Sequence, residues 1–197
     1  MLSDSALLGT DRAPIPPAAE HAPYDIVFLD RDGTLNRLRP GYVTRAIDLD
    51  VLPGVGVAVR RLNDAGCRVV LVTNQRGLAT GALTTAQLRE VHRGLVDALG
   101  QAGAWLDAIQ VCPHQVGECG CRKPLPGLFE QALARARWAD PSRCAMVGDR
   151  PSDLDPARSL GMRAVGVGAA GVGLAAAVER LLDAPGRDRD NNLIGSA

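Results

Sequence analysis

The sequence has few aromatic residues, no net charge and no long apolar run. Phe, Trp and Tyr make up 3% of the residues, so a hydrophobic core has to be built from Val, Leu, Ile and Ala. Lys and Arg number 22, as do Asp and Glu, which leaves no basic surface of the kind that binds nucleic acid. No apolar run is long enough to cross a membrane, and residues 1–20 lack the apolar centre of a signal peptide. We therefore expect a cytoplasmic protein without a nucleic-acid or membrane partner, and we expect it to be a monomer.

The order of apolar segments predicts a single α/β domain. A chain of 197 residues suits one domain with a substantial core. Strand-like and helix-like segments alternate, which is typical of a doubly wound parallel sheet. We predict strands at 26–30, 68–73, 108–112, 144–148 and 163–167, and helices at 55–65, 85–100, 126–137, 152–160 and 174–182. The domain is expected to span residues 23–183, between flexible tails at 1–22 and 184–197.

Two carboxylates follow the first predicted strand. The apolar run 26–29 leads directly into Asp30, and Asp32 and Gly33 follow. The carboxyl edge of an open α/β sheet is where ligands bind. Two Asp residues at this edge can divide phosphoryl transfer, one as the nucleophile that forms an aspartyl-phosphate and the other as the proton shuttle. The alternative is that Asp32 and Gly33 only mark a turn.

Three later segments place further polar residues beside predicted strands and helices. Thr73 ends the second strand and Lys123 precedes a helical segment. Asp149 follows the fourth strand, and Asp153 lies four residues later. Taken singly, Thr73 could simply end a strand, Lys123 could be solvated and Asp149 could cap a helix. Together with Asp30, they form a set that suits a phosphate ester.

A carboxylate that attacks a phosphate dianion needs positive charge beside it. Mg²⁺ prefers a few carboxylates together with water and phosphate oxygens. Asp30, Asp149 and the backbone carbonyl of Asp32 could supply such ligands. Lys123 offers a fixed positive charge, and Thr73 offers a hydroxyl donor to the phosphoryl oxygens. We therefore predict a Mg²⁺-dependent site whose catalytic residues are Asp30, Asp32, Thr73 and Lys123.

A second group of possible metal ligands lies within ten residues and comprises Cys112, His114, Cys119 and Cys121. Three cysteines and one histidine are a standard ligand set for structural zinc, and four protein ligands leave no open position for catalysis. The alternative is disulfides or inert buried thiols, which would leave His114 idle. We predict zinc, although the spacing differs from that of zinc fingers. The loop 112–121 ends directly before Arg122 and Lys123, so the metal should also order these two cations.

These motifs resemble those of the haloacid dehalogenase superfamily. The segment Asp-Arg-Asp-Gly-Thr at 30–34, then Thr73, Lys123 and Asp149, correspond in order to the four motifs of its phosphatases. The Thr-Asn-Gln, Cys-Pro-His and Cys-x-Cys-Arg-Lys-Pro segments resemble a zinc-containing subgroup. That subgroup includes D-glycero-D-manno-heptose 1,7-bisphosphate phosphatases and histidinol-phosphate phosphatases. The resemblance implies a Rossmann-like domain without a large cap domain, and a small phosphorylated metabolite as the substrate.

Within this subgroup we favour an enzyme that removes the 7-phosphate of the heptose bisphosphate. Gly41 and Tyr42 resemble a substrate-contacting loop of the heptose enzymes, although residues 37–40 depart from its usual sequence and length. The resemblance implies substrate contacts at Gly41, Tyr42, Thr73, Asn74, Gln75, Arg76, Arg122, Lys123 and Arg150.

Three alternatives stay open. A histidinol-phosphate phosphatase fits many of the same motifs. A non-catalytic sugar-phosphate-binding protein would gain nothing from two anions, Asp30 and Asp32, that face a phosphate. A phosphatase for nucleic-acid ends is disfavoured by the absence of a basic stripe.

Overall fold

Five parallel strands form the sheet at the centre of the molecule. A computed structural model describes residues 2–168 and 172–183 of the chain. The strands are β1 Ile26–Leu29, β2 Arg68–Asn74, β3 Ala108–Cys112, β4 Cys144–Gly148 and β5 Arg163–Gly166. Their spatial order is β3-β2-β1-β4-β5, and each neighbouring pair is parallel. The sheet therefore winds outward in both directions from β1, which confirms the predicted doubly wound architecture.

Helices cover both faces of this sheet. One face carries α2 Val55–Asp64, α4 Thr85–Gln101 and α7 Leu174–Asp183, and the other carries α5 Gly127–Arg135 and α6 Pro151–Ser159. The four apolar residues of β1 serve both layers, because successive strand side chains point to opposite faces. Val27 and Leu29 enter the core under α2, α4 and α7, whereas Ile26 and Phe28 enter the core under α5 and α6.

Several short elements are additional to the predicted ones. They are the helices α1 Asp4–Leu7 and α3 Gly77–Thr80 and the 3₁₀ helices Ala46–Asp48 and Pro141–Arg143. The long connection from β1 to α2 contains only the first of these 3₁₀ helices, which agrees with the expectation of no large cap domain. Among the described residues, no helix combines the length and the hydropathy that crossing a membrane requires.

The N-terminal segment packs against the domain, so the prediction of a flexible tail is wrong for residues 2–22. Leu7 and Ile15 are each only 2% exposed, and they belong to the cores on opposite faces of the sheet. The Ile15 N–H donates to the Arg135 carbonyl at 2.9 Å, and Trp138 Nε1 donates to the Ile15 carbonyl at 2.9 Å. Two isolated apolar residues carry no periodic pattern, which is why the sequence does not reveal this packing. The second predicted tail, 184–197, lies outside the described residues.

Candidate active site

The carboxyl ends of β1, β2 and β4 meet at one pocket. Parallel strands bring the residues that follow them to the same edge of the sheet. The pocket is lined by all but one of the residues predicted for catalysis, magnesium and substrate: Asp30, Asp32, Gly41, Tyr42, Thr73, Asn74, Gln75, Arg122, Lys123, Asp149 and Arg150. The exception is Arg76, whose Nε donates to the Tyr42 hydroxyl oxygen at 3.4 Å.

Lys123 is the buried positive charge of this pocket. Its Nζ donates to Asp30 Oδ1 at 2.6 Å and to the Val72 carbonyl at 2.8 Å, and it lies 2.7 Å from Asp153 Oδ1. Burial alone would lower the pKa of Lys123, but the two carboxylates outweigh burial and raise this pKa. Lys123 is therefore a fixed cation that faces Asp30, the predicted nucleophile, and not a solvated surface residue.

Three carboxylates converge beside this cation. Oxygens of Asp30, Asp149 and Asp153 lie within 4.8 Å of one another. Burial raises the pKa of Asp30 to about 7, an effect that the charge of Lys123 only partly offsets. Burial, followed by the charge of Asp153, also raises the pKa of Asp149. The arrangement concentrates negative charge at a place where a cation would relieve it.

Asp30 and Asp149 can each offer a carboxylate oxygen to such a cation, whereas both oxygens of Asp153 are engaged. Asp149 Oδ1 is buried without a hydrogen-bond partner among the described residues. Asp153 uses Oδ1 for Lys123 and accepts the backbone N–H of Arg150 with Oδ2 at 3.1 Å. Asp30 and Asp149 thus fit a divalent cation as ligands, while Asp153 orients Lys123.

Gly33 lets the loop after β1 pass close to Asp149. Its φ is +94°, and a Cβ at this position would collide with the Asp149 carboxylate. Only glycine combines this backbone conformation with so close an approach. The Asp-Gly pair of the sequence therefore does more than mark a turn, because it brings the loops after β1 and β4 together.

Asp32 has a different set of partners. Arg31 Nη2 donates to both of its carboxylate oxygens, at 3.1 and 2.9 Å. Asn36 and Gln75 each donate one further hydrogen bond at 3.1 Å. Burial opposes ionisation, but Arg31 and these two donors together lower the pKa of Asp32. The Asp32 side chain is therefore ionised in the free pocket and lies outside the carboxylate group beside Lys123.

The amides at the end of β2 position other site residues. Asn74 accepts the backbone N–H of Lys123 at 3.1 Å and donates to the Lys123 carbonyl at 3.0 Å. Gln75 Nε2 donates to Thr73 Oγ1 at 2.8 Å as well as to Asp32. The hydroxyl hydrogen of Thr73 can still be donated to a phosphoryl oxygen. Asn74 and Gln75, both predicted to contact substrate, thus also hold Lys123, Thr73 and Asp32 in place.

Two arginines lie at the rim of the pocket. Arg122 Nη1 donates to the His114 carbonyl at 3.4 Å, and Arg150 Nε lies 3.7 Å from Asp149 Oδ2. Arg122 is half-buried and Arg150 is exposed. Both guanidinium groups are therefore accessible to a second anionic group on a bound ligand.

The predicted zinc ligands also come together. Cys119 Sγ lies 3.6 Å from Cys112 Sγ and 3.4 Å from Cys121 Sγ, and His114 Nδ1 lies 3.3 Å from Cys121 Sγ. Tetrahedral ligands about 2.3 Å from a zinc ion are separated by about 3.8 Å, so the cluster fits such an ion. All three thiols are free of disulfides. Gly127 at the start of α5 permits close packing here, since a Cβ would lie 2.8 Å from the Cys121 Cα.

Sequence reasoning missed three contributors to the site. The sequence indicates Asp153 only by its place four residues after Asp149, and its contact with Lys123 follows from the first turn of α6. Arg31 is 1% exposed and forms an ion pair with Asp32. His92 of α4 is fully buried beside Arg31, 61 positions away in the chain, and no sequence pattern points to it.

Comparisons with known proteins agree with this geometry. The model of the haloacid dehalogenase-like hydrolases matches residues 37–161. A D-glycero-beta-D-manno-heptose-1,7-bisphosphate 7-phosphatase of Haemophilus ducreyi is 39% identical over 165 residues, which cover 80% of this chain and 90% of that protein. A D-glycero-alpha-D-manno-heptose-1,7-bisphosphate 7-phosphatase of Mycobacterium tuberculosis is 39% identical over 140 residues, which cover 70% of this chain and 74% of that protein.

A solved structure shares the fold. The D,D-heptose 1,7-bisphosphate phosphatase of B. bronchiseptica, crystallised with magnesium and phosphate, superposes with a TM-score of 0.72 at 36% identity. The match covers 80% of this chain and 98% of that one. Since the family model spans more than half of the chain and these relatives cover most of it, the chain belongs to the haloacid dehalogenase-like hydrolase family.

Proposed function

We propose that this protein is a Mg²⁺-dependent phosphatase that removes the 7-phosphate of D-glycero-D-manno-heptose 1,7-bisphosphate through an aspartyl-phosphate. The observation that carries the proposal is the buried contact of Asp30 with Lys123, at 2.6 Å, beside the carboxylates of Asp149 and Asp153. A protein that only bound a sugar phosphate would gain nothing from these anions. The choice of substrate is supported by the relatives, which are named for this reaction and cover most of the chain.

Asp30 and Asp149 would hold the magnesium ion, with the Asp32 backbone carbonyl as a third ligand. Oxygen ligands of this kind, completed by water and substrate, suit Mg²⁺. When bound, the ion supplies positive charge that reduces the repulsion between the carboxylate of Asp30 and the phosphate dianion. A neighbouring cation also favours the ionised form of Asp30, whose pKa burial otherwise raises to about 7.

In the first step, a carboxylate oxygen of Asp30 forms a bond to phosphorus while the bond from phosphorus to the sugar oxygen breaks. Asp32 gives its proton to the leaving alcohol. The free pocket favours ionised Asp32, but a phosphate dianion beside it favours protonation, because like charges repel. The Lys123 ammonium and the Thr73 hydroxyl stabilise the charge on the transferring phosphoryl group.

In the second step, water hydrolyses the aspartyl-phosphate. Asp32 is now anionic and accepts a proton from the attacking water. The bond between phosphorus and the Asp30 oxygen breaks, which releases inorganic phosphate and restores Asp30. Asn74 and Gln75 keep Lys123 and Asp32 in place through both steps, because their hydrogen bonds do not involve the substrate.

The Cys/His cluster would bind zinc in a structural role. Four protein ligands close the coordination sphere, so the ion has no position for substrate. The cluster ends at Cys121, next to Arg122 and Lys123, and the ordered loop would hold Arg122 at the rim. A bisphosphate carries a second phosphate that needs a cation, and Arg122 and Arg150 are suited to supply it. A cytoplasmic location and a monomeric state stay predictions from the sequence.

The proposal is tested by steady-state turnover of a substrate panel with the Mg²⁺-loaded protein. The panel contains both anomers of the heptose 1,7-bisphosphate, histidinol phosphate and a simple sugar monophosphate. We expect the highest kcat/KM on a heptose bisphosphate, with phosphate released from position 7. A higher value on histidinol phosphate would favour that alternative, and binding without turnover of any member would indicate a sugar-phosphate-binding protein.

A further inference from the structure

A buried chain of polar groups leads from the pocket to the N-terminal segment. Arg31 Nη1 lies 3.2 Å from His92 Nε2, and His92 Nδ1 lies 2.6 Å from the Leu7 carbonyl oxygen. Arg31 and His92 are 1% and 0% exposed. The chain therefore joins three parts of the molecule: the loop after β1, the middle of α4 and the end of α1.

Only one arrangement of hydrogens satisfies these contacts. A guanidinium group can only donate, so His92 Nε2 has to accept from Arg31. The Nδ1 nitrogen then carries the hydrogen and donates to the carbonyl of Leu7. Burial, followed by the charge of Arg31, lowers the pKa of His92 to about 3, which keeps the ring neutral in this role.

All three nitrogens of the Arg31 guanidinium take part in this geometry. Its Nε and Nη2 donate to the carboxylate of Asp32, and its Nη1 donates to His92. A bidentate Arg–carboxylate contact fixes direction as well as charge. Loss of the acceptor at Nη1 would leave a buried donor without its partner, which favours rotation of the guanidinium away from its present plane.

We infer that His92 is a positioning residue for the phosphatase reaction: through Arg31 it aims the carboxylate of Asp32 at the oxygen that leaves with the sugar. His92 is itself held by the main chain of Leu7, so the N-terminal segment supports the acid/base residue from outside the pocket. The inference rests on the proposed role of Asp32. His92 itself does not line the pocket, and its effect reaches Asp32 through two hydrogen-bonded contacts, His92 with Arg31 and Arg31 with Asp32.

The test compares His92→Gln with His92→Met. The two replacements have similar length, but only Gln offers a good acceptor to Arg31 Nη1. Leu95→Ala is the control, because Leu95 is buried on the same helix and belongs to the apolar core. Each variant is assayed as kcat/KM on an alkyl phosphate and on p-nitrophenyl phosphate, whose leaving group needs no proton, with rates divided by the folded fraction.

We expect His92→Met to lower kcat/KM on the alkyl phosphate by about ten- to a hundredfold, with a much smaller loss on the aryl phosphate. His92→Gln should recover most of the loss, and Leu95→Ala should leave the ratio of the two substrates unchanged. The inference would be overturned if His92→Met kept the wild-type ratio of kcat/KM on the alkyl phosphate to that on the aryl phosphate. It would also be overturned if His92→Met and His92→Gln lost alkyl phosphate turnover equally. Should His92→Met not fold, Arg31→Lys keeps the charge but lacks Nη1, and a wild-type ratio there would equally overturn it.

Asp32→Asn separates this inference from the proposed mechanism. If Asp32→Asn keeps the wild-type ratio of alkyl to aryl turnover, Asp32 is not the acid/base residue and the mechanism itself fails. If Asp32→Asn loses alkyl turnover while His92→Met does not, the mechanism stands and only the role of His92 is removed.

Discussion

The pocket and the Cys/His loop each gather ligands of the kind that bind metals, but they are built in opposite ways. The four ligands of the loop come from one stretch of chain, residues 112–121, whereas Asp30 and Asp149 meet only because β1 and β4 are neighbours in the sheet. Residues 114–118 of the loop are exposed, and the loop would gain order from a bound ion. The pocket instead holds buried like charges that the surrounding fold keeps together. The metal would stabilise the Cys/His loop, whereas the buried like charges of the pocket lower the stability of the fold but serve catalysis.

The largest expected effect comes from the charge at the centre of the pocket. Asp30→Asn should lower turnover by about 10⁴-fold or more, because an amide is no nucleophile. The free energy of unfolding should be unchanged or higher, since a carboxylate disfavoured by burial is removed. Phosphate release and urea unfolding measure the two quantities. Asp155→Asn on the exposed side of α6 is the control and should change neither. Near-normal turnover of Asp30→Asn would exclude it as the nucleophile.

Removal of metal should affect the two regions differently: loss of Mg²⁺ should stop turnover at the pocket, and loss of zinc should lower the stability of the loop. Mild EDTA should stop turnover, and added Mg²⁺ should restore it, because Mg²⁺ has few protein ligands and exchanges with solvent. Zinc should stay bound at about one ion per chain, as determined by elemental analysis. Cys121→Ser should lose this zinc and lower the free energy of unfolding by several kcal/mol. Far less than one zinc per wild-type chain would contradict the structural role of the loop.

Arg122 joins the two regions, and its replacement should have an intermediate effect. Arg122→Ala should lower kcat/KM on the heptose bisphosphate by a factor equivalent to about 1.5–3 kcal/mol of transition-state free energy. This is the contribution of a hydrogen bond to a charged group. The loss on a simple sugar monophosphate should be smaller. Lys123→Ala is the comparison, since it should impair both substrates alike. Equal losses for Arg122→Ala on the two substrates would remove its role in recognising the second phosphate.

An effect on stability alone is expected outside the pocket, as a pH dependence that originates at His92. His92 has a pKa of about 3 in the folded protein, below its ordinary value of 6.5. Its contribution to stability is complete above pH 6.5 and is lost as the pH falls, because only the unfolded chain then takes up the proton. From pH 7 to pH 5, the wild type should lose about 2 kcal/mol more than His92→Gln. Urea unfolding at both pH values measures this difference, and identical losses would contradict a buried neutral His92.

The sequence predicts the features that depend on local order. Each strand of the sheet lies within one residue of its predicted bounds, because buried parallel strands appear as short apolar runs between turns. The four residues of the Cys/His cluster are found because three cysteines and one histidine lie within ten residues of one another. Asp30 and Asp149 are found by their positions after such runs, since a parallel sheet brings strand ends to one edge.

The features that the sequence does not predict depend on contacts between distant residues. His92 has an ordinary place on an amphipathic helix, and only the folded chain brings it to Arg31. Leu7 and Ile15 each contribute one buried side chain to a different core, so no pattern distinguishes their segment from a tail. Asn74 and Gln75 line the pocket as predicted, but their pairing with Lys123 and Asp32 arises only in the folded chain.

The pairing of Asn74 with the backbone of Lys123 separates the hydrolysis of phosphate esters, which needs Lys123, from the discrimination among substrates, which needs Arg122. Lys123 is tied to β2 by both hydrogen bonds of the Asn74 amide, so its place does not depend on the Cys/His loop alone. Arg122, by contrast, reaches back to the loop itself through the His114 carbonyl. Damage to the loop, for example by oxidation of its thiols, would therefore reach Arg122 first. The damaged enzyme would still hydrolyse phosphate esters, but with less discrimination among them.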